Sequence, residues 1–199
     1  MDAERLLLGG YLRVPRAERE GWQSDLLPPR FISVSECLTG AHHGPEFWAW
    51  HADPAAAACY EGTLLAIGFT RGDAADLTRV ITSDLEPPAG QVPAQGVPDC
   101  LDLLATAAPM PDDTRLCGFE VIGVGHALSS VHSWLCHGYE ADVAAALDLR
   151  VNQWGLLDTY PQASSVLAWM EALPAEQAPE PVYWTIAAVA ESGAESLPA

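Results

Sequence analysis

Residues 132–140, with the sequence HSWLCHGYE, place two histidines, a thiol and a carboxylate within one short stretch. If this segment is helical, His132 and Cys136 are four residues apart and share one face of the helix. An imidazole and a thiolate so placed could provide two ligands for a zinc ion. Zinc would need one or two further ligands, and no local spacing repeats that of a known zinc module. Taken alone, the segment would therefore provide only part of a metal site.

Cys136 could instead act as a nucleophile if a base lies within hydrogen-bonding reach. His137 is adjacent to it and would project about 100° away around a helix. His132 is better placed, although two residues of one helix seldom aim together at a substrate carbonyl. A structural interpretation is favoured, in which the segment begins a core helix and buries Trp134 or Leu135. It predicts that Cys136 is reduced and unreactive and that no metal binds between it and His132.

The stretch AHHGPEFWAWH (41–51) is the second candidate, because His42 and His43 lie near Glu46 and could bind a metal or transfer protons. Successive residues of a loop rarely face one site, so a surface loop leading into an aromatic strand is favoured. The enzymatic alternative is a small metal- or Cys/His-dependent enzyme. Its catalytic candidates are Cys136 and His132, and its metal-ligand candidates are His132, Cys136, His42 and His43. The main prediction includes no cofactor, no metal ligand and no catalytic residue.

Other catalytic signatures are missing from the sequence. The chain contains no lysine, which excludes a P-loop. The spacings of the nucleophile elbow, of HExxH and of the EF-hand are absent as well. Glu120 lies in an alternating strand-like stretch. It could face inward beside Gly118 and Ile122 as a carboxylate with a perturbed pKa, but the solvent-exposed side of an antiparallel sheet is favoured. Whether the protein is an enzyme stays open, with a non-catalytic role favoured.

The charge is the strongest global signal. The chain has 27 acidic residues, nine basic residues and a formal net charge of −18. Five arginines offset five acidic residues within residues 1–30, so the whole excess lies in residues 31–199. Such a field repels nucleic acid and anionic membranes and attracts basic proteins, and the alternative is that it serves solubility alone. The partner is therefore predicted to be a basic protein, with aromatic anchors of the type that dominates interfaces. The candidate anchors are Trp22, Trp48, Trp50, Trp154 and Tyr160.

Hydrophobic patterning predicts an α+β fold, with a mainly antiparallel sheet and helices packed against it. We expect one domain over residues 1–199, with a possible loop division near 86–98 and a disordered tail at 193–199. The predicted strands are 5–14 (or a hairpin turning at Gly9-Gly10), 30–38, 63–70, 114–125 and 182–189. The predicted helices are 73–85, 98–108, 129–149 and 158–173. Gly138 weakens the third helix or divides it into two.

No apolar run reaches the ~20 residues that a membrane span requires, and the first residues do not resemble a signal peptide. The five cysteines form no CxxC pair, which favours reduced thiols. These observations predict a cytoplasmic protein.

The C-terminal half contains GFEVIG, HSWLCHGYE, VNQWGLLD, YPQAS and EPVYW in order. Over about residues 116–186 this set resembles uncharacterised small soluble bacterial proteins, some of which are immunity partners of polymorphic toxins. The resemblance implies a binding module without enzymatic activity. The first hypothesis is thus an acidic immunity protein that neutralises its toxin by charge-complementary binding. The alternatives are the Cys/His enzyme and a non-catalytic small-molecule-binding or regulatory domain.

Overall fold

The computed structural model describes residues 6–39, 51–57, 62–83, 97–125, 131–179 and 182–193. The strands of these regions are, in chain order, β1 (Leu7–Val14), β2 (Ala17–Glu18), β3 (Arg30–Phe31), β4 (Thr63–Phe69), β5 (Thr114–Val124), β6 (Val131–Ser133) and β7 (Tyr183–Ser192). Five of them form an antiparallel sheet in the order β1-β4-β7-β5-β6, while β2 and β3 pair separately. The predicted α+β class with a mainly antiparallel sheet is confirmed.

Six helices accompany the sheet within the described regions. They are α1 (Glu36–Thr39), α2 (Pro54–Ala57), α3 (Arg71–Ser83), α4 (Val97–Thr106), α5 (Glu140–Leu147) and α6 (Tyr160–Glu171), with a 3₁₀ helix at Trp134–His137. Thr159 caps α6, because its side chain accepts a hydrogen bond from the Gln162 backbone N–H. In return, the Gln162 side chain accepts one from the Thr159 backbone N–H. None of the helices in these regions has the length and apolar character that crossing a bilayer requires.

The central strands bury side chains on both faces. Along β7, Ala187 and Val189 join a cluster that includes α3 and α4, whereas Ile186 and Ala188 join one that includes α5 and α6. Side chains alternate across a strand, so helices cover both faces of the sheet at this point. This double coverage explains why β5 is buried without interruption from Cys117 to Val124.

Most long elements lie where the sequence predicts them. β1, β4, β5, β7, α3, α4 and α6 confirm the corresponding predictions to within a few residues. β1 continues through Gly9-Gly10 as one strand with a register shift, so the hairpin alternative is wrong. The strand predicted at 30–38 is also wrong beyond Phe31, because Ser33 and Ser35 direct their side chains into a buried polar network described below.

The predicted helix at 129–149 is wrong in its first half. Residues 131–133 form β6 beside β5, the 3₁₀ helix follows, and α5 begins only at Glu140. Ser133 caps the 3₁₀ helix by accepting a hydrogen bond from the Leu135 backbone over 3.2 Å. Gly138 ends it with a φ of 69°, a left-handed conformation that glycine adopts readily.

The sheet joins β1, near the start of the chain, to β7, near its end, and the described regions form a single α+β domain. The possible division near 86–98 lies outside the described residues up to position 96, and Val97 and Pro98 already belong to α4. The tail predicted at 193–199 is outside them from residue 194 onward.

Candidate functional site

An exposed tryptophan stands on the loop between β2 and β3. Trp22 is 58% exposed, although the loop that carries it is firmly anchored. Gln23 accepts a hydrogen bond from the Glu20 backbone over 2.8 Å and donates one to the Leu135 carbonyl over 3.5 Å. Leu27, on the same loop, is completely buried. The loop therefore presents an apolar ring to solvent from a fixed position.

Trp22 borders a cleft with an acidic rim. The cleft has a volume of about 580 Å³, and its lining includes Glu18, Glu20, Cys37 and Leu38. Glu18 and Glu20 are exposed, so their charges face the solvent at the entrance. Arg16 also lines the cleft, but its guanidinium lies 3.5 Å from the Glu191 carboxylate. A large aromatic ring next to exposed carboxylates is suited to a basic side chain, which gains both cation–π and ionic contacts.

A buried carboxyl group lies near Trp22. A Cβ atom at Gly138 would lie 3.3 Å from the Trp22 ring and 4.0 Å from Glu140 Oε2, so both groups flank the same point. Glu140 is only 3% exposed, and neither of its carboxyl oxygens accepts a hydrogen bond from another described residue. Burial raises the pKa of Glu140 above its ordinary value. This carboxyl group would be stabilised by a cation brought close to it.

A second buried carboxyl group, Glu120 on β5, is fully hydrogen-bonded. The Ser33 hydroxyl donates to Oε1 over 2.7 Å, and the Val34 backbone N–H donates to Oε2 over 3.0 Å. Ser133 of β6 hydrogen-bonds to the same carboxyl. Glu120 is completely buried, and the prediction that it faces water is wrong because helices and loops cover both faces of β5. Its contacts fasten the segment after β3 to the sheet.

Next to this network lies a pair of thiols. The Cys136 sulfur is 3.0 Å from the Ser35 hydroxyl and accepts a hydrogen bond from the Ser133 backbone over 3.4 Å. The Cys37 thiol, exposed on α1, hydrogen-bonds to the Cys136 thiol. This contact and burial together raise the pKa of Cys136 well above its ordinary value. Both cysteines are free thiols.

The helical geometry proposed for His132 and Cys136 is not present. His132 lies on β6 opposite Gly123, and Ser133 lies opposite Ile122. The side chains of His132 and Ser133 therefore point to opposite faces of the sheet. Cys136 folds back towards Ser133 on the 3₁₀ helix. Trp134 and Leu135 are 1% and 0% exposed, which confirms the predicted burial in this segment.

No group of three or more His, Cys, Asp and Glu side chains is arranged to hold a metal ion in the regions that the structure describes. The metal-ligand candidates His42 and His43 lie outside these regions, as do the anchor candidates Trp48 and Trp50. The ligand sets that include them therefore stay predictions.

The other two proposed anchors have intramolecular partners. Trp154 is half-buried, and the guanidinium groups of Arg16 and Arg115 lie 4.6 and 5.0 Å from its ring. Tyr160 donates its hydroxyl hydrogen to Asp73 over 2.8 Å. Among the described anchor candidates, Trp22 is thus the one with a largely exposed ring.

Comparison with protein-family models, curated proteins and solved structures found no match to the chain. The predicted resemblance to immunity proteins therefore stays a prediction.

Sequence reasoning missed the residues that surround Trp22. Glu18 and Glu20 belong to a segment with balanced charge, and Glu140 reads as an ordinary acidic residue in the first turn of a helix. For the buried Glu120 network, the sequence does contain one signal. The run SVSE (33–36) places serines between apolar residues, which indicates hydroxyl groups that hydrogen-bond to a buried partner.

Proposed function

We propose that the protein is an acidic binding module that docks a basic protein at the Trp22 cleft. The observation that carries the proposal is an exposed, rigidly held tryptophan with Glu18 and Glu20 at the mouth of the same cleft. Interface hot spots are enriched in tryptophan, and they lie where acidic and basic groups complement each other. Leu38 lines the same cleft and adds apolar surface to it.

The net charge of −18 supports a basic partner over an acidic one. Long-range attraction accelerates the encounter of oppositely charged proteins, and the contact around Trp22 then fixes their orientation. The buried Glu140 carboxyl group lies on the protein side of this contact, near Trp22, and accepts no hydrogen bond from another described residue.

We propose further that the partner is a bacterial toxin and that this protein acts as its immunity protein. The support is the resemblance over residues 116–186 together with the charge, because toxins that act on nucleic acid are commonly basic and an acidic partner competes with their substrate. The protein is proposed to act in the cytoplasm, without nucleic acid or membrane as a partner.

The test is the equilibrium binding of the purified protein to the products of its neighbouring genes, with a generic basic protein of similar size as the comparison. We expect a 1:1 complex that weakens at least about 10-fold between low and high salt. Trp22→Ala should weaken it by about 30-fold, the ~2 kcal/mol typical of a hot spot. The matched control is Leu116→Ala, since Leu116 is also apolar and 49% exposed.

The double variant Glu18→Gln/Glu20→Gln should slow association and reduce the salt dependence, with a smaller effect on dissociation. Co-expression with a toxic partner tests the immunity function directly, and growth should be restored by the parent protein and less by Trp22→Ala. A complex whose affinity changes neither with salt nor with Trp22→Ala would contradict the proposed docking surface. Failure to bind any neighbouring gene product would contradict the immunity function.

A further inference from the structure

We propose that Cys37 and Cys136 form a redox-active dithiol that a two-electron oxidant such as a peroxide converts to a disulfide. The two cysteines are about 100 residues apart in the chain, but they lie on elements that pack against each other, α1 and the 3₁₀ helix. The Ser35 hydroxyl, two residues before Cys37, is 3.0 Å from the Cys136 sulfur, and a side-chain hydrogen bond links the two thiols. Thiols in contact need only a small approach to reach the ~2.05 Å length of a disulfide bond. The inference does not rest on the proposed docking function.

The two thiols differ in their access to solvent. Cys37 is exposed and lines the Trp22 cleft, so a small oxidant reaches it directly. Cys136 is partly buried behind it, with Ser35 and the Ser133 backbone against its sulfur. This arrangement of one accessible and one sheltered thiol is the arrangement of an attacking and a resolving cysteine.

The chemistry then balances in two steps. The Cys37 thiolate attacks one oxygen of hydrogen peroxide, which forms a sulfenic acid and releases hydroxide. The Cys136 sulfur attacks the sulfenic sulfur, the S–O bond breaks, and the oxygen leaves as water with the proton that Cys136 gives up. In total, two thiols and one peroxide give one disulfide and two water molecules.

The high pKa of Cys136 is consistent with its role as the resolving thiol. A thiol with a raised pKa is protonated at neutral pH and reacts slowly with alkylating agents. Cys136 therefore stays a thiol in the reduced protein and reacts only after the neighbouring Cys37 sulfur has been oxidised. This agrees with the prediction that Cys136 itself is unreactive. Its role as the resolving thiol begins only after Cys37 has reacted.

The disulfide would close a loop of about 100 residues and fix α1 to the 3₁₀ helix. Closing a loop of this length restricts the unfolded chain strongly, so the oxidised protein should be more resistant to heat. Because Cys37 lines the cleft, the bond would also hold the wall of the cleft beside Trp22 in place.

The experiment treats the full chain with about one equivalent of hydrogen peroxide, blocks the remaining thiols, and maps its peptides by mass spectrometry without reduction. We expect a linked peptide pair containing Cys37 and Cys136, a mass lower by about 2 Da before blocking, and reversal by dithiothreitol. The melting temperature of the oxidised protein should rise by roughly 10 °C and fall back on reduction.

Variants separate the roles of the two thiols. In Cys136→Ser the oxidised Cys37 has no resolving partner, so it should proceed to the sulfinic acid or react with an added thiol. In Cys37→Ser, Cys136 should stay a thiol under the same treatment. Cys117→Ala removes a cysteine that lies elsewhere in the core, and the 37–136 link should form as in the parent. A different disulfide, or Cys37 oxidised past the sulfenic acid in the parent, would overturn the proposal.

Discussion

The Ser33 hydroxyl donates a hydrogen bond to Oε1 of Glu120 over 2.7 Å, and neither residue has any exposed surface. With the Val34 backbone bonded to the other carboxyl oxygen, one side chain of β5 holds the segment between β3 and α1. Burial raises the pKa of Glu120, and the hydrogen bonds from Ser33, Ser133 and Val34 act against this shift without cancelling it. The folded protein therefore holds the Glu120 proton more tightly than the unfolded chain.

This difference predicts a pH dependence of stability. The contribution of Glu120 is complete below its unfolded pKa, near the ordinary value of 4.5, and is lost as the pH rises through the raised pKa of the folded state. In Glu120→Gln, the amide can donate to a serine and accept from Val34, so its unfolding free energy near pH 5 should stay within about 1 kcal/mol of the parent. Denaturation by urea between pH 5 and 8 should show a smaller loss of stability in the variant.

The matched control for this titration is Glu171→Gln, because Glu171 is exposed on α6. It should keep the pH slope of the parent protein. Equal slopes in the parent and in Glu120→Gln would show that Glu120 does not titrate differently in the folded and unfolded states.

Asn152 should be one of the most sensitive polar positions of the chain. Its Nδ2 donates to the Cys117 carbonyl over 2.9 Å, and its Oδ1 accepts from the backbones of Trp154 and Leu156 over 2.9 and 3.2 Å. Asn152→Ala leaves these backbone groups unpaired and should lower the unfolding free energy by about 2–4 kcal/mol. Chemical denaturation measures this loss, and the exposed neighbour variant Gln153→Ala should change stability by less than about 0.5 kcal/mol.

Tyr160 is predicted to stabilise the fold through its hydroxyl group. Asp73, at the start of α3, accepts from Tyr160 over 2.8 Å and from Thr70 over 2.6 Å, so it connects α6 to α3. Tyr160→Phe keeps the edge contact of the ring with Phe119 and should cost about 1 kcal/mol. A double-mutant cycle with Asp73→Ala, which removes the acceptor, checks this, since additive effects of the two changes would mean that the hydrogen bond contributes nothing.

Gly138 is predicted to resist substitution for two reasons that act together. Its φ of 69° is costly for other residues, and a Cβ atom would lie 3.3 Å from the Trp22 ring. Gly138→Ala should therefore lower the unfolding free energy by about 1–2 kcal/mol, measured by thermal denaturation. Gly72→Ala is the control, because the nearest atom, Thr70 Oγ1, is 3.8 Å from a Cβ at this helical position. It should leave stability unchanged or raise it by up to about 1 kcal/mol.

The sequence predicts the long elements well because each contains its own signal. The apolar run of β4 and the amphipathic pattern of α6 need no tertiary information, and Thr159 with Gln162 marks the start of α6. The segment 131–140 gives a misleading signal because its residues are compatible with a helix. Its strand pairing depends on β5, and its turn depends on Gly138, so only the assembled sheet determines its structure.

The candidate site is less accessible to sequence reasoning. Trp22 is identified as a possible anchor, but its exposure follows from the way Gln23 and Leu27 fix the loop. The position of Glu120 depends on a second layer of helices, and the general rule for antiparallel sheets gives the opposite result. The contact between Cys37 and Cys136 joins residues too distant in the chain for any local spacing to reveal.

The position of β7 in the sheet affects how the protein is made. Among the strands of the described regions it comes last in the sequence, and it pairs with β4 on one side and β5 on the other. Without residues 183–192 the remaining strands can form only two separate pairs, β1-β4 and β5-β6, because β7 lies between β4 and β5 in the sheet. The sheet therefore closes only after β7 has been made, and the exposed edges of β4 and β5 are where a chaperone would protect the nascent chain from aggregation.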